Sequence, residues 1–182
     1  MADLQAAGST SLHLSYRPID EETITKGFSC GEQEIDRFFV QDALAEHKLG
    51  TIKTTCAYLP GIASPVGFFA LASVCEETTQ LPGKYHNLGS PRVFPCLQMV
   101  FLAVHTRNQG KGVGSSMGGA VISLFAELGP KIGLPHLILV PINDEVVPYY
   151  EEKLGFTCYR NRSRMFLPLQ SALDAIQCPD EQ

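Results

Sequence analysis

Three glycines, Gly110, Gly112 and Gly114, stand in the stretch Gln109-Gly110-Lys111-Gly112-Val113-Gly114. Upstream lies a nearly unbroken apolar run, Leu97 to Val104, and downstream Val113 to Leu128 carries apolar residues at helical spacing. A strand that enters a helix through a glycine-rich turn can bring its backbone close to a ligand. Several unpaired N–H groups then point at one spot, where the positive end of the helix dipole adds to them. That chemistry is anion binding. Two common forms of it do not fit. A P-loop has Lys-Ser or Lys-Thr directly after its last glycine, whereas Gly114 is followed by Ser115-Ser116. A dinucleotide fingerprint starting at Gly110 requires Gly or Ala where Ser115 stands. A loop that only turns the chain is the structural alternative.

Gln109-x-x-Gly112-x-Gly114 after a strand ending Leu102-Ala103-Val104 resembles the signature of the GNAT superfamily of N-acetyltransferases. The resemblance implies acetyl-coenzyme A as co-substrate and no metal. Its pyrophosphate would lie on the loop from Gln109 through Gly110, Lys111, Gly112, Val113 and Gly114 to Ser115, and its pantetheine arm along the backbone of Leu102, Ala103 and Val104. A second stretch supports it. Asn143 precedes Tyr149-Tyr150-Glu151-Glu152-Lys153-Leu154-Gly155-Phe156, which looks like the family's Asn, then Phe-Tyr-Glu, then Gly-Phe. Asn143 to Tyr150 keeps the family separation, but Tyr150 reaches Gly155 in five steps where the family takes four. We take Tyr150 as the catalytic equivalent, with the extra residue absorbed as a bulge in the last helical turn, and Tyr149 as the reserve. Tyrosines that merely pack, and an Asn143 that merely caps its helix, are the alternatives.

The reaction implied is transfer of an acetyl group from a thioester to an amine. The amine must be neutral to attack: a lysine near pKa 10.4 needs a base, an α-amine near about 8 needs little help. As coenzyme A leaves as a thiolate, a tyrosine hydroxyl can hand it a proton. His105, directly after the central strand, and Glu76 and Glu77, at the end of an earlier one, are candidate bases. An α-amine acceptor requires none.

These residues must be positioned by a fold, and 182 residues suffice for one domain with a real core. We divide the chain into a flexible tail (1–10), a single acetyltransferase domain (11–170) and a C-terminal tail (171–182). Hydrophobic residues make up 45% and charged residues 18%, which argues against disorder. No apolar run approaches the roughly 20 residues of a membrane span, and no secretory signal is evident, so a cytoplasmic location is expected. The six cysteines form no CxxC pair. Cys56, Cys75 and Cys96 read as core residues, Cys30 and Cys178 as exposed. Periodicity predicts a strand over Leu12 to Tyr16, a helix over Glu32 to Leu49, and a hairpin of Thr51–Leu59 with Val66–Val74. A long polar loop follows from Cys75 to Pro95. After the glycine turn, the helix should stop at Gly129-Pro130. A strand at His136–Pro141, a helix at Asp144–Leu154 and a strand pair at Phe156–Tyr159 and Met165–Leu169 complete the order. The fold class is mixed α/β with a largely antiparallel sheet flanked by helices, which matches the GNAT order.

Within the superfamily a narrower resemblance appears. Phe28-x-Cys30-Gly31, Glu34-Ile35-Asp36-Arg37-Phe38-Phe39, then Ala43, Thr54-Thr55-Cys56-Ala57-Tyr58 and Val66-Gly67-Phe68-Phe69-Ala70-Leu71-Ala72-Ser73 look like the acetyltransferase toxins of bacterial toxin–antitoxin pairs. This implies acetylation of the α-amine on aminoacyl-tRNA, arrest of translation, and a ribbon-helix-helix antitoxin as partner. Charge pulls the other way: 14 Lys+Arg against 19 Asp+Glu give −5, thin for an RNA binder. The best basic cluster is Arg160, Arg162 and Arg164. A housekeeping acetyltransferase for a small-molecule or protein amine, and a non-catalytic acyl-coenzyme A-binding regulator, are the competing readings. Exposed strand edges leave a homodimer open.

Overall fold

The computed structural model describes residues 12–77, 93–160 and 163–177. In chain order they form β1 (Ser15–Pro18), α1 (Gln33–Arg37), a π-helical turn (Phe38–Asp42), α2 (Ala43–Leu49), β2 (Lys53–Tyr58), β3 (Gly67–Glu77) and β4 (Val93–Val104). There follow α3 (Val113–Ile132), β5 (His136–Leu139), α4 (Val147–Leu154), β6 (Thr157–Cys158), β7 (Met165–Pro168) and α5 (Leu169–Gln177). The seven strands make one sheet in the order β1-β2-β3-β4-β5-β7-β6. Among the described residues only β4 and β5 run parallel, so the sheet is mixed and largely antiparallel, as the sequence predicts.

Strand alternation divides the core into two layers. Cys56, Tyr58, Phe68, Ala70 and Ala103 point to one face, which the α1–α2 segment covers through Phe38, Phe39 and Ala43, with Phe28 beside them. Phe39 stacks on Phe68 with centroids 4.2 Å apart and planes 7° from parallel. The π-helical turn explains the cover. A turn wider than the α-helical one brings Ala43 round to the side of Phe38, so both reach the sheet. Ala57, Phe69, Leu71, Leu97 and Met99 point to the other face, where Met117, Val121 and Phe125 of α3 pack. Small residues set how closely α3 approaches. A Cβ on Gly118 would lie 2.7 Å from Leu154 Cδ1, and one on Gly67 would lie 2.7 Å from both the Ala103 carbonyl and Met117 Sδ. α5 packs on α3, with Leu169 against Gly129 and Ala172 fully buried.

Five details differ from the sequence reading. The first strand is Ser15–Pro18, displaced toward the chain that pairs with β2. The predicted helix over Glu32 to Leu49 is interrupted by the π turn. α3 does not stop at Gly129-Pro130: proline in a last turn sacrifices little, and Gly133 (φ 74°) ends the helix, where its N–H and that of Leu134 bond to the Gly129 carbonyl. Cys75 is exposed rather than packed, because cover fades along β3 beyond Leu71. Cys56 and Cys96 are core residues, their thiols pushed by burial to about 12. Cys30 is half-buried rather than exposed, and burial raises its thiol to about 11. Cys178 and most of the predicted polar loop lie outside the described residues.

Candidate active site

β5 pairs with β4 only over Cys96–Met99. β4 then runs on to Val104 while still paired with β3 on its other side, so its edge from Val100 to Val104 is left open toward β5. A bulge sits at the parting: Ala70 faces Phe101 and Leu71 faces Met99, which leaves Val100 as the extra residue. The gap is a groove of about 810 Å³. Leu102, Ala103 and Val104 form one wall, Val140 to Asn143 with Tyr150 the opposite wall, and Glu34, Arg37, Phe38 and Asp42 of the α1 segment a third.

Gln109, which lines the groove, leads into the glycine turn. Gly110 and Gly112 adopt φ of 71° and 82°, a left-handed conformation that side-chain-bearing residues rarely take. Gly112 is the N-cap of α3 and offers no side chain to its amides. The first helical bond runs from Ser116 N–H to the Gly112 carbonyl, so the N–H groups of Val113, Gly114 and Ser115 precede the ladder and point out of the helix end. These amides belong to the loop that the sequence reading expects to hold an anion. Val113 can contribute only backbone, because its side chain is buried. Lys111 donates from Nζ to the Arg107 carbonyl at 2.7 Å. The Gln109 amide is spent inside the protein: Nε2 donates to the Val104 carbonyl at 3.0 Å and to the Cys30 carbonyl at 2.8 Å. Its side chain thus ties the loop to β4 and to the segment before α1.

The two tyrosines part company. Tyr150 faces the groove, and burial, with the neighbouring Tyr149 second, pushes its phenol to about 12. Tyr149 turns under α3, where a Cβ on Gly114 would stand 3.3 Å from its Oη. Burial raises its pKa as well, and Ser115 is close enough to oppose this without forming a well-shaped hydrogen bond. At the C-terminus of α4 the Gly155 N–H bonds to the Glu151 carbonyl and leans toward that of Tyr150, and the Phe156 N–H bonds to the Tyr150 carbonyl at 3.0 Å. A cap that reaches back six residues is wider than the usual five, which is how the helix houses one residue more before Gly155 (φ 72°). Asn143 caps the same segment, its Oδ1 accepting from Glu145 N–H at 3.0 Å and Val146 N–H at 3.2 Å. It also lines the groove, so the capping and groove-facing placements coexist.

The candidate bases fare differently. His105 Nδ1 accepts from Arg107 N–H at 3.2 Å and its ring meets Phe28 edge-on, in a second cavity rather than in the groove. Glu76 is buried and ion-paired with Arg164, and it faces Phe94 at the far end of β4; Glu77 faces Val93 there. None of the three reaches the groove. Of the arginine cluster, Arg164 is therefore committed to Glu76, Arg160 is exposed after β6, and Arg162 lies outside the described residues. Two groove walls escaped the sequence reading. The polar residues of the α1 segment were passed over for its apolar face. Val140 and Ile142 look like ordinary strand and loop residues, yet are large apolar groups 52% and 49% exposed in a ligand-sized groove.

No family model matches the chain. It is 29% identical over 134 residues to a tRNA-acetylating toxin of Mycobacterium tuberculosis, covering 74% of this chain and 79% of that protein. Among solved structures it superposes on a tyrosine-to-phenylalanine mutant of KacT with TM-score 0.82 at 20% identity, covering 88% and 98% of the two chains. AtaT complexed with acetyl-methionyl-tRNAfMet gives 0.80 at 19%, covering 87% and 96%. A tyrosine-to-phenylalanine mutant of the toxin AtaT bound to the C-terminus of the antitoxin AtaR and acetyl-CoA gives 0.74 at 17%, covering 92% and 99%. The chain has the GNAT fold of these toxins.

Proposed function

We propose that this GNAT-fold chain, homologous to a tRNA-acetylating toxin, transfers an acetyl group from acetyl-coenzyme A to the α-amine of an aminoacyl-tRNA, and that an antitoxin holds it in check. The observation that carries the reading is one groove lined by the open β4 edge, by Tyr150 and by Gln109, the residue from which the glycine turn runs into α3. The acetyl-CoA, acetyl-methionyl-tRNA and AtaR bound to AtaT support it.

The amides of Val113, Gly114 and Ser115, with the dipole of α3 behind them, suit the pyrophosphate. The pantetheine arm lies along the Leu102–Val104 edge, where backbone groups stand in for a strand partner, and this brings the thioester toward Tyr150. Glu34, Asp42 and Glu145 line the remaining groove and favour an amine over a phosphate there. An α-amine with pKa near about 8 keeps a minor but sizeable neutral fraction at physiological pH, far more than a lysine does, so attack needs no side-chain base. Tyr150, kept protonated by burial, donates its proton to the departing thiolate. Asn143 fixes the start of the helix that carries Tyr150. Charged tRNA as substrate implies work in the cytoplasm, and the outer strands β1 and β6 offer edges through which two copies could pair.

The test is release of free thiol from acetyl-coenzyme A with charged tRNA as acceptor and deacylated tRNA as control, for the wild type and Tyr150→Phe. Release is expected to need both the aminoacyl group and the hydroxyl. A folded protein that binds the cofactor but acetylates no charged tRNA would overturn the reading.

A further inference from the structure

A second cavity, of about 540 Å³, lies behind the groove. Phe28, His105, Arg107 and Asn108 line it, while Cys30, Val104 and Gln109 line the groove, so the two cavities back onto each other across one short segment before α1 and the turn after β4. Its lining has two characters. Phe28, Leu59, Pro65 and Val66, with Ile24 and Ile62 at the rim, give flat apolar surface; Ile24 and Ile62 are 48% and 51% exposed, unusual for isoleucine. Lys26 and Arg107 bring positive charge, and Ser64, His105 and Asn108 bring hydrogen-bonding groups.

Charge makes the location informative. The lining holds Lys26 and Arg107 and no carboxylate, and neither cation is among those in the ion pairs of the described residues, which take Lys48, Lys131 and Arg164. The groove itself is acidic, with Glu32, Glu34, Asp42 and Glu145 against Arg37 alone. In a chain of net charge −5, this cavity therefore offers a phosphate two cations and no carboxylate in its lining, with apolar surface among them, where the groove offers mostly carboxylates. Apolar walls that take a base face and cations that take a phosphate are the two components of single-strand recognition.

We propose that this cavity binds a nucleotide of the single-stranded 3′ end of charged tRNA, next to the aminoacylated ribose. Lys26 and Arg107 contact its phosphate, and the Phe28–Ile62 surface takes its base. The inference rests on the aminoacyl-tRNA reading above, and it assigns the RNA contact to residues other than the arginines that follow β6.

The experiment is steady-state acetylation of charged tRNA by the wild type, Lys26→Ala/Arg107→Ala and Ile62→Asp, with calorimetric titration of acetyl-coenzyme A into each. The expected result is a KM for charged tRNA raised about tenfold in the double variant, with kcat and cofactor affinity unchanged and a salt slope shallower by about 1.4, for two lost single-strand phosphate contacts. Ile62→Asp should raise the same KM and leave the cofactor alone. Equal KM in all three proteins would overturn the proposal. So would a parallel loss of cofactor affinity, which would make Lys26 and Arg107 ligands of the coenzyme phosphates. If the wild type acetylates charged tRNA but the variants match it, only this inference falls; if the wild type acetylates none, both readings fall together.

Discussion

Tyr150 and Tyr149 are adjacent in sequence and joined ring edge to face, with centroids 5.3 Å apart, yet only Tyr150 faces the groove. Removing its hydroxyl should lower kcat by about 10² to 10⁴-fold while the dissociation constant of acetyl-coenzyme A, measured by calorimetry, stays put. Tyr149→Phe should keep most of the activity, since its hydroxyl lies under α3. Similar losses in the two variants would refute the assignment. The pH profile follows from the same geometry. With its pKa raised to about 12, Tyr150 holds its proton throughout the neutral range. The rate should therefore climb with pH as the acceptor α-amine loses its proton near about 8, with no tyrosine-dependent fall before about pH 11. An alkaline limb near pH 9 that vanishes in Tyr150→Phe would contradict this.

At the scale of elements, the close approach of α3 to the sheet and to α4 sets where the glycine turn and Tyr150 stand relative to each other. Gly118 is the tightest point against α4. An added methyl would have to displace Leu154, and overpacking of this kind costs about 1–3 kcal/mol. Gly118→Ala should accordingly lower Tm by several degrees, measured by circular dichroism. Gly119→Ala, at a position with open space around it, should not destabilise and serves as the control. The π-helical turn and the bulge at Val100 belong to the same scale. Each inserts a residue into a regular element beside the groove, and each re-aims the wall that follows.

For the molecule as a whole, the most informative buried group is His136. Phe94 and Phe166 flank it with ring centroids 5.2 and 5.3 Å away, and its Nδ1 has no partner among the described residues. Burial lowers its pKa to about 4. Because the unfolded chain takes up a proton near pH 6.5 and the folded chain resists until about 4, stability is complete above 6.5 and declines as pH falls through that window, by up to roughly 3 kcal/mol. His136→Leu should flatten this decline in urea-unfolding measurements at pH 7 and pH 4.5. An unchanged slope would mean that other groups govern acid stability. Charge placement acts at this scale too: Glu32, Glu34, Asp42 and Glu145 outnumber Arg37 in the groove, while the cavity beside the β4 terminus has Lys26 and Arg107 and no carboxylate.

The amino-acid sequence by itself determined the order of strands and helices, the hairpin of β2 and β3, and the glycine cradle. Each follows from local periodicity, or from glycines that permit positive φ at Gly110 and Gly112. It also pointed to the two tyrosines and to Asn143. It preferred Tyr150 to Tyr149 by the spacing from Asn143, but which ring faces the groove is decided by the partner surfaces, since adjacent helical positions differ by about 100° of rotation. Packing likewise decided that Gln109 braces β4, that Glu76 is neutralised by Arg164 and that His105 faces a separate cavity. The same holds for the groove itself. Its walls come from α1, β4, β5 and α4, elements far apart along the chain, and only the parting of β4 from β5 after Met99 brings them around one space.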